Sequence, residues 1–238
     1  GLDAGAGDVS VVAVAGNITD AGDVDTDVVA DELRAEAGGD IGEPEGTNNG
    51  LMETTISTLA AAAQGATGIF VTDSQALLVD EVGPVAVSRV QADATTAGED
   101  SDANLSDVTT ATHGGAIVLI TTAGDLTVTD GGDGDATGID ADGAGNVRLD
   151  SNMASVDLQS TVQSGTGNIT VIAATDVVTA ADVDVVSGGD GTIDLEASGG
   201  SVTLSTTSDQ DAGSGDVRVL AATNVTLGGT LTTTGDAS

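Results

Sequence analysis

The sequence predicts an all-β chain, a right-handed parallel β-helix (β-solenoid) of about ten coils, each of roughly 22–24 residues. Three observations predict it. The first is a short phrase said four times: Asn146-Val147-Arg148-Leu149, Asn168-Ile169-Thr170-Val171, Thr192-Ile193-Asp194-Leu195 and Asp216-Val217-Arg218-Val219. Its leading aliphatics stand at 147, 169, 193 and 217, in steps of 22, 24 and 24. A fixed period of this size marks stacked repeats, and the alternation inside each phrase marks strands. The second is a further aliphatic pair a fixed short distance on, at Val156/Leu158, Val177/Thr179, Val202/Leu204 and Val225/Leu227, with a third point at Val162, Val183 and Leu231. The third is composition. Phe70 is the only aromatic residue, and 35 glycines stand beside two prolines. A compact globule fills its interior with rings; a coil of short strands needs only Val, Ile, Leu and Ala stacked on copies of themselves.

Taken in order, Gly7-Asp8-Val9-Ser10-Val11-Val12 opens with the same phrase, and Ile18 keeps the second offset. Asp27–Gly39 holds good helix formers, Ala-Asp-Glu-Leu-Arg-Ala-Glu-Ala. The turn Gly38-Gly39-Asp40-Ile41-Gly42 beyond it argues instead for a strand around Val29–Ala35. Ile56–Gln64, with four consecutive alanines, is equally ambiguous between helix and strand. Residues 42–50 form a polar loop. Gly68-Ile69-Phe70-Val71 restarts the phrase, followed by Leu77/Val79 and Val85/Val87. The interval from Ile69 to Ile117 is 48, read as two steps of 24 with a damaged coil and a protruding loop at 91–107. Ile117/Leu119 and Leu126/Val128 restore the pattern, and 130–145 is a second long loop anchored by Ile139. The whole of 1–238 reads as one module. Stacked at ~4.8 Å per strand, it makes a rod roughly 45–50 Å long with parallel sheets, and parallel connections favour the right-handed coil.

No cap is legible at either end, which points to coverage by a flanking repeat or another copy. A copy following Ser238 would place its Val9 as far beyond Val217 as Val147 lies beyond Ile117, so the two ends would join in phase. The chain starts at Gly1 without an initiator Met or signal peptide, as a mature product or a piece of something longer would.

The formal charge is -35, from 39 acidic and 4 basic residues. Such a surface repels nucleic acid and anionic membranes, and it repels itself, so stability should depend on salt or bound cations. No apolar run approaches the ~20 residues that span a bilayer. There is no cysteine, hence no disulfide framework or thiolate metal site.

The phrase Gly-Asn/Asp-Val/Ile-x-Val/Leu, together with Ala221-Ala222-Thr223-Asn224-Val225-Thr226-Leu227, resembles the filamentous-haemagglutinin-type giant bacterial surface adhesins. The order from Gly16-Asn17-Ile18-Thr19-Asp20 through Gly38–Gly42 and Glu53–Leu59 to Gly68–Val71 is similar to their tandem modules. The resemblance implies a β-helix shaft on the cell exterior, used for reach, adhesion or matrix building. It carries over no catalytic or ligand residue.

Calcium is the ligand the residues fit best, because Asp and carbonyl oxygens are its donors. Asp133-Gly134-Asp135-Ala136-Thr137-Gly138 has acids at i and i+2 and glycine at i+5, a near miss to an EF-hand loop whose closing Glu is replaced by Ala144. Asp133 and Asp135 are the candidate metal ligands. Asp23, Asp25 and Asp27 alternate and would share one strand face. The competing reading is that these are solvated turn acids. Asn17, Asn104, Asn168 and Asn224 stand in glycosylation sequons, three of which follow from the repeat phrase itself. His113 is a lone loop histidine, and Arg34, Arg89, Arg148 and Arg218 are scattered, without rings for stacking sugar. The sequence is therefore read as non-enzymatic.

The expected function is a structural repeat module of an extracellular fibre or giant surface adhesin. Its partners are other copies of itself end to end, and cell-surface or matrix polysaccharide. The alternative is a discrete cation- or carbohydrate-binding adhesin domain with its site in the 91–107 or 130–145 loops. A third view makes the acidity an adaptation to high salt.

Overall fold

The computed structural model describes residues 1–23, 25–46 and 50–234. Every regular element among them is a strand. Nine strands stack side by side in one parallel sheet: Leu2–Asp3, Val28–Val29, Met52–Thr55, Gly68–Asp73, Ala116–Thr121, Val147–Ser151, Ile169–Ala173, Ile193–Ala197 and Val217–Ala221. A second sheet of fifteen strands faces it. No helix among the described residues is long and apolar enough to cross a membrane.

The second sheet forks. Val9–Ala13, Glu32–Ala37 and Thr58–Ala63 pair in register, one strand per turn. Leu77–Val79 then covers the first half of Thr58–Ala63, through Thr58↔Leu78 and Leu59↔Val79. Val108–Thr110 covers the second half, through Val108↔Ala61 and Thr110↔Ala63. Two columns of short strands run on from this branch to Val225–Leu227 and Leu231–Thr232. The cross-section thus passes from two strands per turn to three.

This branch corrects two expectations. Ile69 pairs directly with Ile117, so the whole stretch between them makes one turn and not two. The excess is an antiparallel hairpin, Ala86–Val90 with Thr96–Ser101, which leaves the stack. Val87 is accordingly 58% exposed and Val90 67%, and the third face comes from Val108 instead of Val85/Val87. Arg34 ties the insertion down, donating from Nε to the Ala103 carbonyl at 3.0 Å and from Nη2 to Glu36 at 2.7 Å. The regular step holds from Val147 onward. Earlier pairings depart from it in both directions: Leu2↔Val28, Val28↔Thr54 and Ile117↔Val147 are longer, and Met52↔Val71 is shorter. The two ambiguous segments are strands, Glu32–Ala37 and Thr58–Ala63, because stacking buries their alanines. The 130–145 loop contains the strand Thr137–Ala141, with Ile139 fully buried between Val108 and Val162. Val9 lies in the second sheet and Val217 in the first, so they are not equivalent positions; Ile18, bridged through Ile41 to Ile69, is the counterpart of Val217.

Inward residues form ladders. Ile69, Ile117, Val147, Ile169 and Ile193 make one and Val71, Leu119, Leu149, Val171 and Leu195 another, all buried. Each such side chain contributes about 1.5–3 kcal/mol by leaving water. The third column runs Val162, Val185, Gln210, Leu231, so Val185 and not the nearby Val183 takes the ladder position. The unit that lacks a third aliphatic has Gln210 there, fully buried, with Nε2 donating to Ser208. Phe70 is buried outside the core cluster, in a groove shared with Pro44, Leu51 and Val118.

The glycine that opens each phrase has a steric cause. Gly145, Gly167, Gly191 and Gly215 stack at one corner, and a Cβ on any of them would lie 2.0–2.2 Å from the carbonyl oxygen of the glycine one turn before. Many turn acids are also used between turns. Asp125 accepts the N–H of Ser155, Asp176 that of Ser201, Asp184 that of Asp209 and Asp209 that of Thr230, at 2.7–2.9 Å. A carboxylate that accepts such a bond saves an orphan N–H at the corner, where no ladder partner exists.

A candidate cation site

Buried acids in this protein fall into two groups. Asp73 is fully buried but satisfied, accepting from Thr54 Oγ1, Ile56 N and Gln75 N at 2.7–3.0 Å. Asp107 is 3% exposed, and its Oδ1 is buried with no hydrogen-bond partner. Leaving a buried charged oxygen unpaired is costly, so Asp107 marks a place where the stack alone does not complete the chemistry.

Asp107 ends the hairpin insertion, in a left-handed conformation (φ 66°), immediately before Val108–Thr110. The register Val108↔Ile139 brings it beside the loop that precedes Thr137–Ala141. There its carboxylate and those of Asp133 and Asp135 offer oxygens within 4.8 Å of one another. Asx turns hold the loop: Asp133 Oδ1 accepts from Asp135 N at 3.4 Å, and Asp135 Oδ1 accepts from Thr137 N at 2.7 Å. The acids line a cavity of about 350 Å³ with Glu81, Asn104 and Ser106. Burial first, then the charges of Asp133, Asp135 and Asp130, pushes the Asp107 carboxyl up to about 8. Burial likewise raises Asp140 nearby.

Three oxygen donors within reach of one ion suit a hard divalent cation of the calcium class, completed by carbonyls and water. A cation would also offset the burial and the repulsion that raise the Asp107 carboxyl. The structure therefore brings Asp133 and Asp135 together, as the spacing predicts, but with a partner one turn away in place of an EF-hand ligand further along the same loop. Sequence reasoning missed Asp107 because it stands a full turn before Asp133 in the chain, and only the cross-turn register joins them.

The other candidates resolve differently. Asp23, Asp25 and Asp27 share no strand; Asp25 N donates to Asp23 Oδ1 in a local turn, and Asp27 faces Asp20 and Glu53. His113 is exposed, with Nδ1 at 2.7 Å from the Gln64 carbonyl oxygen. Each arginine is taken by acids: Arg34 by Glu36, Arg89 by Asp100, Arg148 by Asp150, and Arg218 by Asp194 and Glu196. Asn168 is built into a ladder, its side-chain amide and backbone N–H both donating to Asn146 Oδ1, and Asn17 Oδ1 accepts from Asp40 N. Asn104 and Asn224 are exposed.

Fold and site together define an all-β protein of stacked parallel strands, consistent with a β-solenoid, that carries an acidic pocket between turns. Comparison with protein-family models, with curated proteins and with solved structures finds no match.

Proposed function

We propose that this chain is a structural module of an extracellular fibre or giant surface adhesin, a right-handed β-solenoid of about ten turns that stacks end to end into a stiff filament. The observation that supports it is the state of the two end turns. Leu2 is exposed at one end, and Val225, Leu227 and Leu231 are exposed at the other. They pair with Val28, Val202, Leu204 and Gln210, and so continue columns that are buried everywhere between them. A strand edge with an apolar row is a template for another strand of the same kind, so a further turn, from a flanking repeat or a second copy, is the occupant that fits. The charge of -35 opposes this contact at low ionic strength and yields to screening. Calcium at Asp107, Asp133 and Asp135 belongs to the same reading, as a staple between turns.

Electron microscopy and light scattering of the chain at high concentration test it. Long thin threads are expected in molar NaCl or millimolar calcium, and Leu227→Asp at the end turn abolishes them. Compact monomers under all these conditions would overturn the reading. The competing function, a discrete cation-binding adhesin domain, draws on the same acidic pocket; it gains if Asp107→Asn removes adhesion and leaves the threads intact.

A further inference from the structure

A second set of acids belongs to earlier turns of the stack. Asp20 is 2% exposed. Its Oδ2 accepts the N–H groups of Gly22 at 2.8 Å and Gly50 at 3.2 Å. Its Oδ1 is buried and has no hydrogen-bond partner, and Glu53 Oε2 shares that condition. Carboxylate oxygens of Asp20, Asp27 and Glu53 lie within 4.8 Å of one another.

The stack forces two of these acids together. Val28 pairs with Thr54, so Asp27 and Glu53 are successive rungs of one column. Asp27 N donates to the Glu53 carbonyl at 2.8 Å, and Glu53 N donates to Asp27 Oδ2 at 3.1 Å. Like charges in register on neighbouring strands are destabilising. Burial, with the charge of Asp20 added, raises the carboxyls of both Asp27 and Glu53 above their ordinary values. No basic side chain relieves them. The chain has only four, and all four are paired with other acids. The balancing charge has to come from solvent, as a proton or as a cation. Two oxygens bound to one calcium ion at about 2.3–2.6 Å sit up to about 5 Å apart, and two bound to magnesium only about 4.2 Å. Oxygens within 4.8 Å of one another fall within the reach of one such ion.

We propose that Asp20, Asp27 and Glu53 form a calcium-class divalent-cation site that clamps the segment carrying Asp20 onto two successive turns of the stack. The ion takes Asp20 Oδ1, the one carboxylate oxygen of that residue the fold leaves unused, and joins Val28–Val29 to Met52–Thr55 where the first sheet has its shortest strands. The site stands apart from the fibre reading, since it needs only the observed register.

Calcium titration of the full chain by calorimetry, at pH 8 in molar NaCl to suppress diffuse binding, tests it. Asp20→Asn is expected to bind one equivalent fewer than the unsubstituted chain. Glu53→Gln, whose side chain lies outside the core, is expected to lose the same equivalent. Asp190→Asn, an exposed acid outside both clusters, keeps it. Hydrogen exchange supplies a local readout: calcium slows exchange of the Gly22 and Gly50 amides in the unsubstituted chain and not in Asp20→Asn. Unchanged stoichiometry in both Asp20→Asn and Glu53→Gln, or the same loss in Asp190→Asn, would overturn the proposal.

Discussion

Replacing Leu119 by alanine is expected to destabilise the protein by about 2–5 kcal/mol, the cost of a buried leucine truncated in a core that relaxes only partly. Leu119 is fully buried, between Val71 one turn before and Leu149 one turn after. The lost methyls leave a gap in a ladder whose core cluster contains no aromatic ring. Thr127→Ala is the contrast. Thr127 sits at the outward position of Leu126–Val128, stacked on Leu78 and Asp157, and a surface change of this kind stays within about 0.5 kcal/mol. Urea titration at fixed salt compares the two. Equal effects would mean that the alternation does not separate core from surface. In a stack whose turns touch only their neighbours, the Leu119→Ala loss should also be local: hydrogen exchange should speed up in Ala116–Thr121 before it does in Ile193–Ala197.

Calcium affinity is expected to rise about tenfold per pH unit from pH 6 to pH 8 and then level off, because binding at Asp107 displaces one proton. The sign for the cation-free chain follows from the same shift. Asp107 is raised from 3.8 to about 8 in the folded state. Between those values the folded chain holds a proton that the unfolded chain has released, so stability is greatest at the acidic side and falls as pH rises toward 8. Asp27, Glu32, Glu53, Asp73 and Asp140 are shifted upward too, chiefly by burial. Thermal melts in EDTA should therefore show a higher Tm at pH 5 than at pH 8, and millimolar calcium should restore most of the difference at pH 8. Asp107→Asn, whose amide does not titrate in this range, should lose the calcium response of that site and flatten the pH slope. A Tm that rises from pH 5 to pH 8 without calcium, or a calcium affinity independent of pH, would contradict the assignment.

The stretch from Val147 to Val219 was legible in the sequence because several constraints coincide there. A glycine column fixes the corner, two aliphatic ladders fix the inward face, and no insertion disturbs the step. The sequence pattern places Val147, Ile169, Ile193 and Val217 on one column, as it does Val156, Val177, Val202 and Val225, and the register agrees. The hairpin at Ala86–Ser101 was illegible for the opposite reason. It alternates Val87 with Arg89 as a coil strand would, yet both of its faces meet solvent. Dividing the interval from Ile69 to Ile117 into two equal steps was arithmetic without a steric constraint behind it. The acids follow the same division. Asp133 and Asp135 could be picked out because they stand close in the chain. Asp107 and Asp20 could not, since what distinguishes them is burial of one unpaired oxygen, which depends on the turn above and the turn below.

Stacked parallel strands in the stated register are the claim on which both cation sites and the filament rest, and paired cysteines test it most directly. The chain has none of its own. Val178 is in register with Thr203, and Thr203 with Thr226, all at outward positions. Cysteines at 178 and 203, about 4.8 Å apart across one strand spacing, fall within the reach of a disulfide and should cross-link in full under mild oxidation. Cysteines at 178 and 226, separated by two spacings, should not. Failure of the first pair in folded protein, or cross-linking of the second within one molecule, would contradict the stack.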